Sequence, residues 1–122
     1  MFPIAVVGCQ FSYIGVATAL TVITSLPSMK VKAGGQFVYR GQVDFTLSGA
    51  TLGTYSQIAP VNGSFNITAQ KVKADNEFVL RQLDQSEIID IDMQNTVSPF
   101  NEITVGVTVI ISQAGQEKVL AN

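Results

Sequence analysis

Histidine is absent from the 122 residues, and cysteine occurs once, at Cys9. Without imidazole there is no Ser-His-Asp or Cys-His arrangement, no ordinary acid or base near neutral pH and no His-containing zinc site. A lone thiol closes no intramolecular disulfide, and Cys9 reads as a small buried hydrophobe. The one gathering of groups that could do chemistry is Asp84, Glu87, Asp90 and Asp92. Such carboxylates could hold a divalent cation, but a calcium loop spaces its ligands regularly about a glycine and closes on a glutamate. This stretch does neither, and Ile88, Ile89 and Ile91 make it a strand with a solvated acidic edge. No metal, cofactor or catalytic constellation is expected, and enzyme activity fits least.

The organising feature is a repeat. Lys30-Val31-Lys32-Ala33-Gly34-Gly35-Gln36-Phe37-Val38-Tyr39-Arg40 returns as Lys71-Val72-Lys73-Ala74-Asp75-Asn76-Glu77-Phe78-Val79-Leu80-Arg81, with seven of eleven positions identical. Each copy reads as two short strands around a turn, because Gly34-Gly35 and Asp75-Asn76 tolerate positive φ. One hairpin cannot bury its apolar face alone, so the copies should pack together, with Phe37 and Phe78 buried in a shared core. The expected fold is all-β: one domain over residues 1–122, a small cone or sandwich of short antiparallel hairpins with pseudo-symmetry.

Composition bounds the partners. Apolar residues make up 47% of the chain and charged residues 13%, about half the usual share. That leaves little polar material to cover a free surface, and a large interface with a partner is expected. Seven scattered Lys and Arg against nine Asp and Glu give no phosphate-tracking stripe, so nucleic acid is not an expected partner.

Residues 1–29 carry no charged side chain, so a targeting or membrane segment must be weighed. No basic region precedes Phe2, as a signal peptide would need, and Pro3, Gly8, Gln10, Ser12 and Gly15 interrupt any spanning helix. Stable membrane insertion is not expected. The stretch reads instead as two strands, Ile4 to Tyr13 and Val16 to Thr24, broken near Gly15 and ended by Pro27. After the first repeat, Val43, Phe45 and Leu47 alternate with Gln42, Asp44 and Thr46 as a strand, and Gly49 and Gly53 bracket a loop. Pro60-Val61-Asn62-Gly63 signals a turn, and Phe65, Ile67 and Ala69 alternate into the second repeat. The two Asn-x-Ser/Thr matches at Asn62 and Asn66 are discounted as glycosylation sites. The clearest strand puts Ile103, Val105, Val107, Val109 and Ile111 on one face. The tail from Ser112 to Asn122 holds one helical turn or is loose.

From Pro27 to Asp84 the repeats resemble the proline-alanine-alanine-arginine (PAAR) repeat proteins and their relatives, the spike-tip proteins of contractile injection systems such as type VI secretion and phage tails. In that pattern a proline, a short strand and a Gly-Lys turn precede the naming letters, and Gly-Asp closes the motif. Pro27 leads into Lys30 to Ala33, Gly35-Gln36 holds the turn, and Phe37-Val38-Tyr39-Arg40 stands in the naming position. The second copy offers Asn76-Glu77, Phe78 to Arg81, and Asp84 where the family's aspartate falls. The positions carried over are Val31, Gly35, Phe37, Arg40, Val72, Phe78, Arg81 and Asp84.

The resemblance implies a non-catalytic cap that sharpens a trimeric β-helical spike, one chain per trimer, and can carry effector proteins. Such a cap is assembled in the cytoplasm as part of a particle and delivered outside the cell or into a target. Family members close the tip with zinc held by histidines and a cysteine, which this chain cannot reproduce. A metal-free relative is expected, its tip closed by packed side chains such as Phe2, Phe11, Tyr13 or Phe100. Two other readings stay open: a capsid, tail or baseplate subunit, which would self-associate, and a small ligand-binding barrel or enzyme, which would need a deep polar pocket.

Overall fold

The computed structural model describes all 122 residues and is all-β, with no helix that could cross a membrane. Six longer segments build one sheet: β2 (Gln10–Ile14), β3 (Thr18–Ile23), β6 (Asp44–Leu52), β7 (Tyr55–Gln57), β11 (Ile89–Asn95) and β12 (Glu102–Gln113). Their order is β2-β12-β11-β7-β6-β3, every pair is antiparallel, and β8 (Val61–Ser64) pairs with β6 on the edge opposite β3, in line with β7. The two ends of this order, β2 and β3, are consecutive in the chain, so the sheet curls into a nearly closed barrel. Gly15, at φ 104°, turns the chain between them where a Cβ would run into the Gly106 carbonyl oxygen. The seam holds no strand pairing and is bridged by the Tyr13 hydroxyl and Thr21 Oγ1 at 2.7 Å.

Alternation places the barrel core. Val43, Phe45 and Leu47 with β6, Ile91 and Met93 on β11, and Val107, Val109 and Ile111 on β12 are fully buried and belong to one cluster. The β12 register, Ile91 opposite Val105 and Met93 opposite Ile103, sets these faces inward.

Beside the barrel lies a cap of short hairpins. β4 (Lys32–Ala33) pairs with β5 (Gln36–Phe37), and β9 (Lys73–Ala74) pairs with β10 (Glu77–Phe78) in the same register. Both turns use positive φ: 59° and 86° at Gly34 and Gly35, 53° and 65° at Asp75 and Asn76. The third pair joins the two ends of the chain. β1 (Phe2–Pro3) lies antiparallel to β13 (Leu120–Ala121), with Phe2 opposite Ala121 and Pro3 opposite Leu120.

Backbone bonds tie the three pairs into a ring. Ala5 N–H donates to the Leu80 carbonyl at 2.8 Å, Leu80 N–H to Tyr39 at 2.9 Å, and Tyr39 N–H back to Ala5 at 3.1 Å. One step along, Val7 donates to Phe37 at 3.0 Å, Gly41 to Phe78 at 2.9 Å and Gln82 to Pro3 at 2.8 Å. Each strip is also held to its own partner, Val38 to Val31, Val79 to Val72 and Ile4 to Val119. Ile4, Val38 and Val79, with Ala121, Ala33 and Ala74, form a second buried cluster under the cap. Ala5, Tyr39 and Leu80, the alternate residues, belong to the barrel core instead. Cap and barrel thus share the two faces of the same three strips.

Several expected boundaries move. The strand expected from Ile4 to Tyr13 is interrupted at Val7-Gly8, because residues 3–7 join the ring and only Gln10–Ile14 joins the barrel. Gly49 opens no loop: β6 runs through it at φ 62°, and the register against β3 shifts there, so the reversal comes at Gly53-Thr54. Val61-Asn62-Gly63 is strand rather than turn, because it pairs with Leu47, Thr46 and Phe45 of β6, and Gly63 sits where a side chain would strike Phe45 and Ile89. The tail is neither helical nor loose, because Leu120–Ala121 pairs with the first strand.

Candidate functional site

The carried-over residues all fall in the cap or at its junction with the barrel. Val31 and Val72 supply the carbonyls that accept from Val38 and Val79. Gly35 holds its turn. Phe37 and Phe78 do not enter a shared core, as expected from sequence: Phe37 is half-buried and Phe78 is 37% exposed. Strand alternation explains the correction, for it turns Val38 and Val79 inward and leaves the phenyl rings on the outer face. There each ring is covered by its cross-strand lysine, Lys32 and Lys73, at 4.7 Å from the centroid in both hairpins.

The two arginines occupy equivalent places and hold the cap together differently. Arg40 Nε pairs with Asp75 at 3.1 Å, and its terminal nitrogen donates to the Leu26 carbonyl. The Ser28 hydroxyl, and then Arg40, hold the Asp75 carboxyl below the usual carboxylate range. Arg81 stacks on Phe2 at 5.3 Å and donates to the Ala121 carbonyl and to Thr68 Oγ1. The Thr68 hydroxyl donates in turn to Asp84, whose other oxygen accepts the Arg81 backbone N–H at 2.9 Å.

Asp84 is therefore buried, at 2% exposure, and closes the loop from cap to barrel. Glu87, just before β11, and Asp90 and Asp92 on it are exposed, so apart from its first member the acidic stretch faces solvent. It is not the edge expected from sequence, because β11 pairs with β12 on one side and β7 on the other, and the acids lie on its outer face. No three His, Cys, Asp or Glu side chains converge anywhere in the chain. Cys9 is half-buried, and burial pushes its thiol up to about 11.

The aromatic residues considered for closing a tip do not meet. Phe11 stacks on Phe65 in the barrel wall, Tyr13 bridges the seam, Phe2 lies in the cap and Phe100 is exposed in the β11–β12 loop. The largest surface cleft, about 690 Å³, is bordered by Gln10, Gln82, Ser112, Gln113, Gln116 and Glu117; it holds a single carboxylate, and its one hydroxyl, on Ser112, is hydrogen-bonded to no base.

The sequence reading missed the third cap unit. Lys118-Val119-Leu120-Ala121 stands in the register of Lys30 to Ala33, and Phe2 to Val6 in that of Gln36 to Arg40. Gln116 also repeats the work of Ser28. Its side-chain oxygen accepts from the Lys118 and Val119 amides at 2.8 Å, as Ser28 Oγ accepts from Lys30 and Val31. The signal was the short string Lys-Val-x-Ala, separated from its partner strip by the rest of the chain. Comparison with family models, curated proteins and solved structures returns no match.

Proposed function

We infer that the chain is a non-catalytic tip that seats on a trimeric spike, one copy per trimer. The observation that carries this reading is the hydrogen-bonded ring through Ala5, Tyr39 and Leu80. Three strips in matching register give one chain an approximate three-fold arrangement, and such a surface can meet three identical subunits at once. The resemblance of Pro27 to Asp84 to the PAAR-like tips supports the same role. No zinc is required in this reading, because the cap is closed by Ile4, Val38, Val79 and the three alanines beneath them. Assembly inside the producing cell and delivery with the particle, with or without an effector, follow from the role. Titration calorimetry against a trimeric β-helical spike protein tests it, with one chain expected per three spike subunits.

One observation favours the second reading, a self-associating capsid, tail or baseplate subunit. The unpaired seam between β2 and β3 carries the exposed Ile14, Leu20 and Val22, and two copies could complete each other's sheet there. That subunit would form symmetric oligomers alone.

A further inference from the structure

In a chain so poor in charge, the placement of the few charges is informative. All seven basic residues, Lys30, Lys32, Arg40, Lys71, Lys73, Arg81 and Lys118, belong to the cap units. The strands and loops of the barrel, residues 8–27, 43–68 and 85–115, hold five acidic residues and no basic one. The cap's own acids are four: Asp75, Glu77, Asp84 and Glu117. The chain is therefore an electrical dipole, with a basic cap on an acidic barrel.

The arginines are spent internally, Arg40 on Asp75 and Arg81 on Thr68 and the Ala121 carbonyl. The lysines form no ion pair, since the only one in the chain is Arg40–Asp75; Lys32 and Lys73 lie over phenyl rings, and Lys30 is near enough to Asp75 to help lower its carboxyl without bonding it. Among them Lys30, Lys71 and Lys118 hold the same place in the three units, each immediately before the valine whose carbonyl receives the ring strip. All three are exposed.

We propose that Lys30, Lys71 and Lys118 dock the cap onto a three-fold protein surface that presents a carboxylate on each subunit. This rests on the three-fold reading above and adds the chemistry of the partner. Three matched contacts suit a trimer better than a polyanion. A duplex or an anionic bilayer rewards total positive charge, and here seven basic residues stand among four acids on the same cap. A trimer rewards placement instead, since each lysine meets its own subunit and the contacts reinforce one another by avidity. Lysine contacts at a solvent-accessible rim also steer encounter and weaken with salt.

The test uses the full chain and a trimeric coiled-coil peptide ending in a ring of glutamates, beside its glutamine version and its single-stranded form. The expected result is binding to the glutamate trimer about tenfold or more tighter than to either control. That binding should be lost in Lys30→Glu/Lys71→Glu/Lys118→Glu and retained in the triple arginine variant. Circular dichroism melts establish that both variants fold. If either melts early, Lys71→Glu alone, expected to weaken binding severalfold, takes its place. Equal binding to the glutamate and glutamine trimers, or preference for duplex DNA or phosphatidylserine vesicles, overturns the proposal. A spike trimer that binds wild type and the triple glutamate variant equally also overturns it, yet leaves the three-fold seat standing. Trimer and single strand binding alike sinks both.

Discussion

Lys73 lies over the ring of Phe78, 4.7 Å from its centroid, on the outer face of the cap. A phenyl ring held this way contributes mainly through its contact with one cation and a partly covered face. Phe78→Ala should therefore cost only about 1 kcal/mol in a denaturant melt. Leu80, two residues on and fully buried, should cost about 2 to 5 kcal/mol when cut to alanine. Measuring the pair side by side tests which face of the strip carries the core.

Asp84 should matter more to folding than to any binding. Its carboxylate accepts the Arg81 amide and the Thr68 hydroxyl in a buried place, so Asp84→Ala strands both donors. The expected loss is about 2 to 3 kcal/mol by urea melt. Asp84→Asn, which keeps an acceptor, should lose less.

Acid should loosen the cap at the Asp75 turn. Ser28 and Arg40 hold the Asp75 carboxyl below its ordinary value of 3.8, so the folded chain binds its proton less readily than the unfolded chain. That contribution is present above 3.8 and is lost as the pH falls through the lowered folded value. The melting temperature of the wild type should fall on acidification below about pH 4. The fall should be shallower in Asp75→Asn.

Cys9 should react slowly. Burial raises its thiol from 9.0 to about 11, so the thiolate at pH 8 is about a hundredfold scarcer than for an unperturbed thiol. Iodoacetamide labelling of the folded protein should be slow at pH 8 and accelerate toward pH 11. Rapid labelling at pH 8 would mean that the thiol is not shielded where β2 begins.

The third cap unit can be tested by moving the break in the ring. Joining Asn122 to Met1 through a short glycine linker, and opening the chain between Gly34 and Gly35, exchanges one turn for another in the same register. The permuted chain should fold with nearly the same sheet signature and melt within a few degrees. Failure to fold would mean that the three units are not interchangeable.

Much of this architecture was legible in the residues. The alternation from Ile103 to Ile111 and the positive-φ turns at Gly34 and Asp75 announced themselves through local chemistry. Gly49 and Pro60 misled because a glycine inside a bulged strand and a proline just before a strand look like loop signals. Phe37 and Phe78 are expected inward if the two hairpins pack their apolar faces on each other, but the alternation with Val38 and Val79 decides which face they take. The third unit escaped because its halves lie at opposite ends of the chain, and only the ring of hydrogen bonds reunites them. The segregation of charge had no local signal either, for it emerges when three distant segments share one cap.

The central claim is one chain on one trimer, and molar mass in solution reads it directly. Alone, the protein should elute as a 13.0 kDa monomer. Mixed with a trimeric β-helical spike, it should give a complex heavier than the spike by one such mass, however great its excess. A stable trimer of this chain alone, indifferent to the spike, would contradict the account and favour the self-associating subunit.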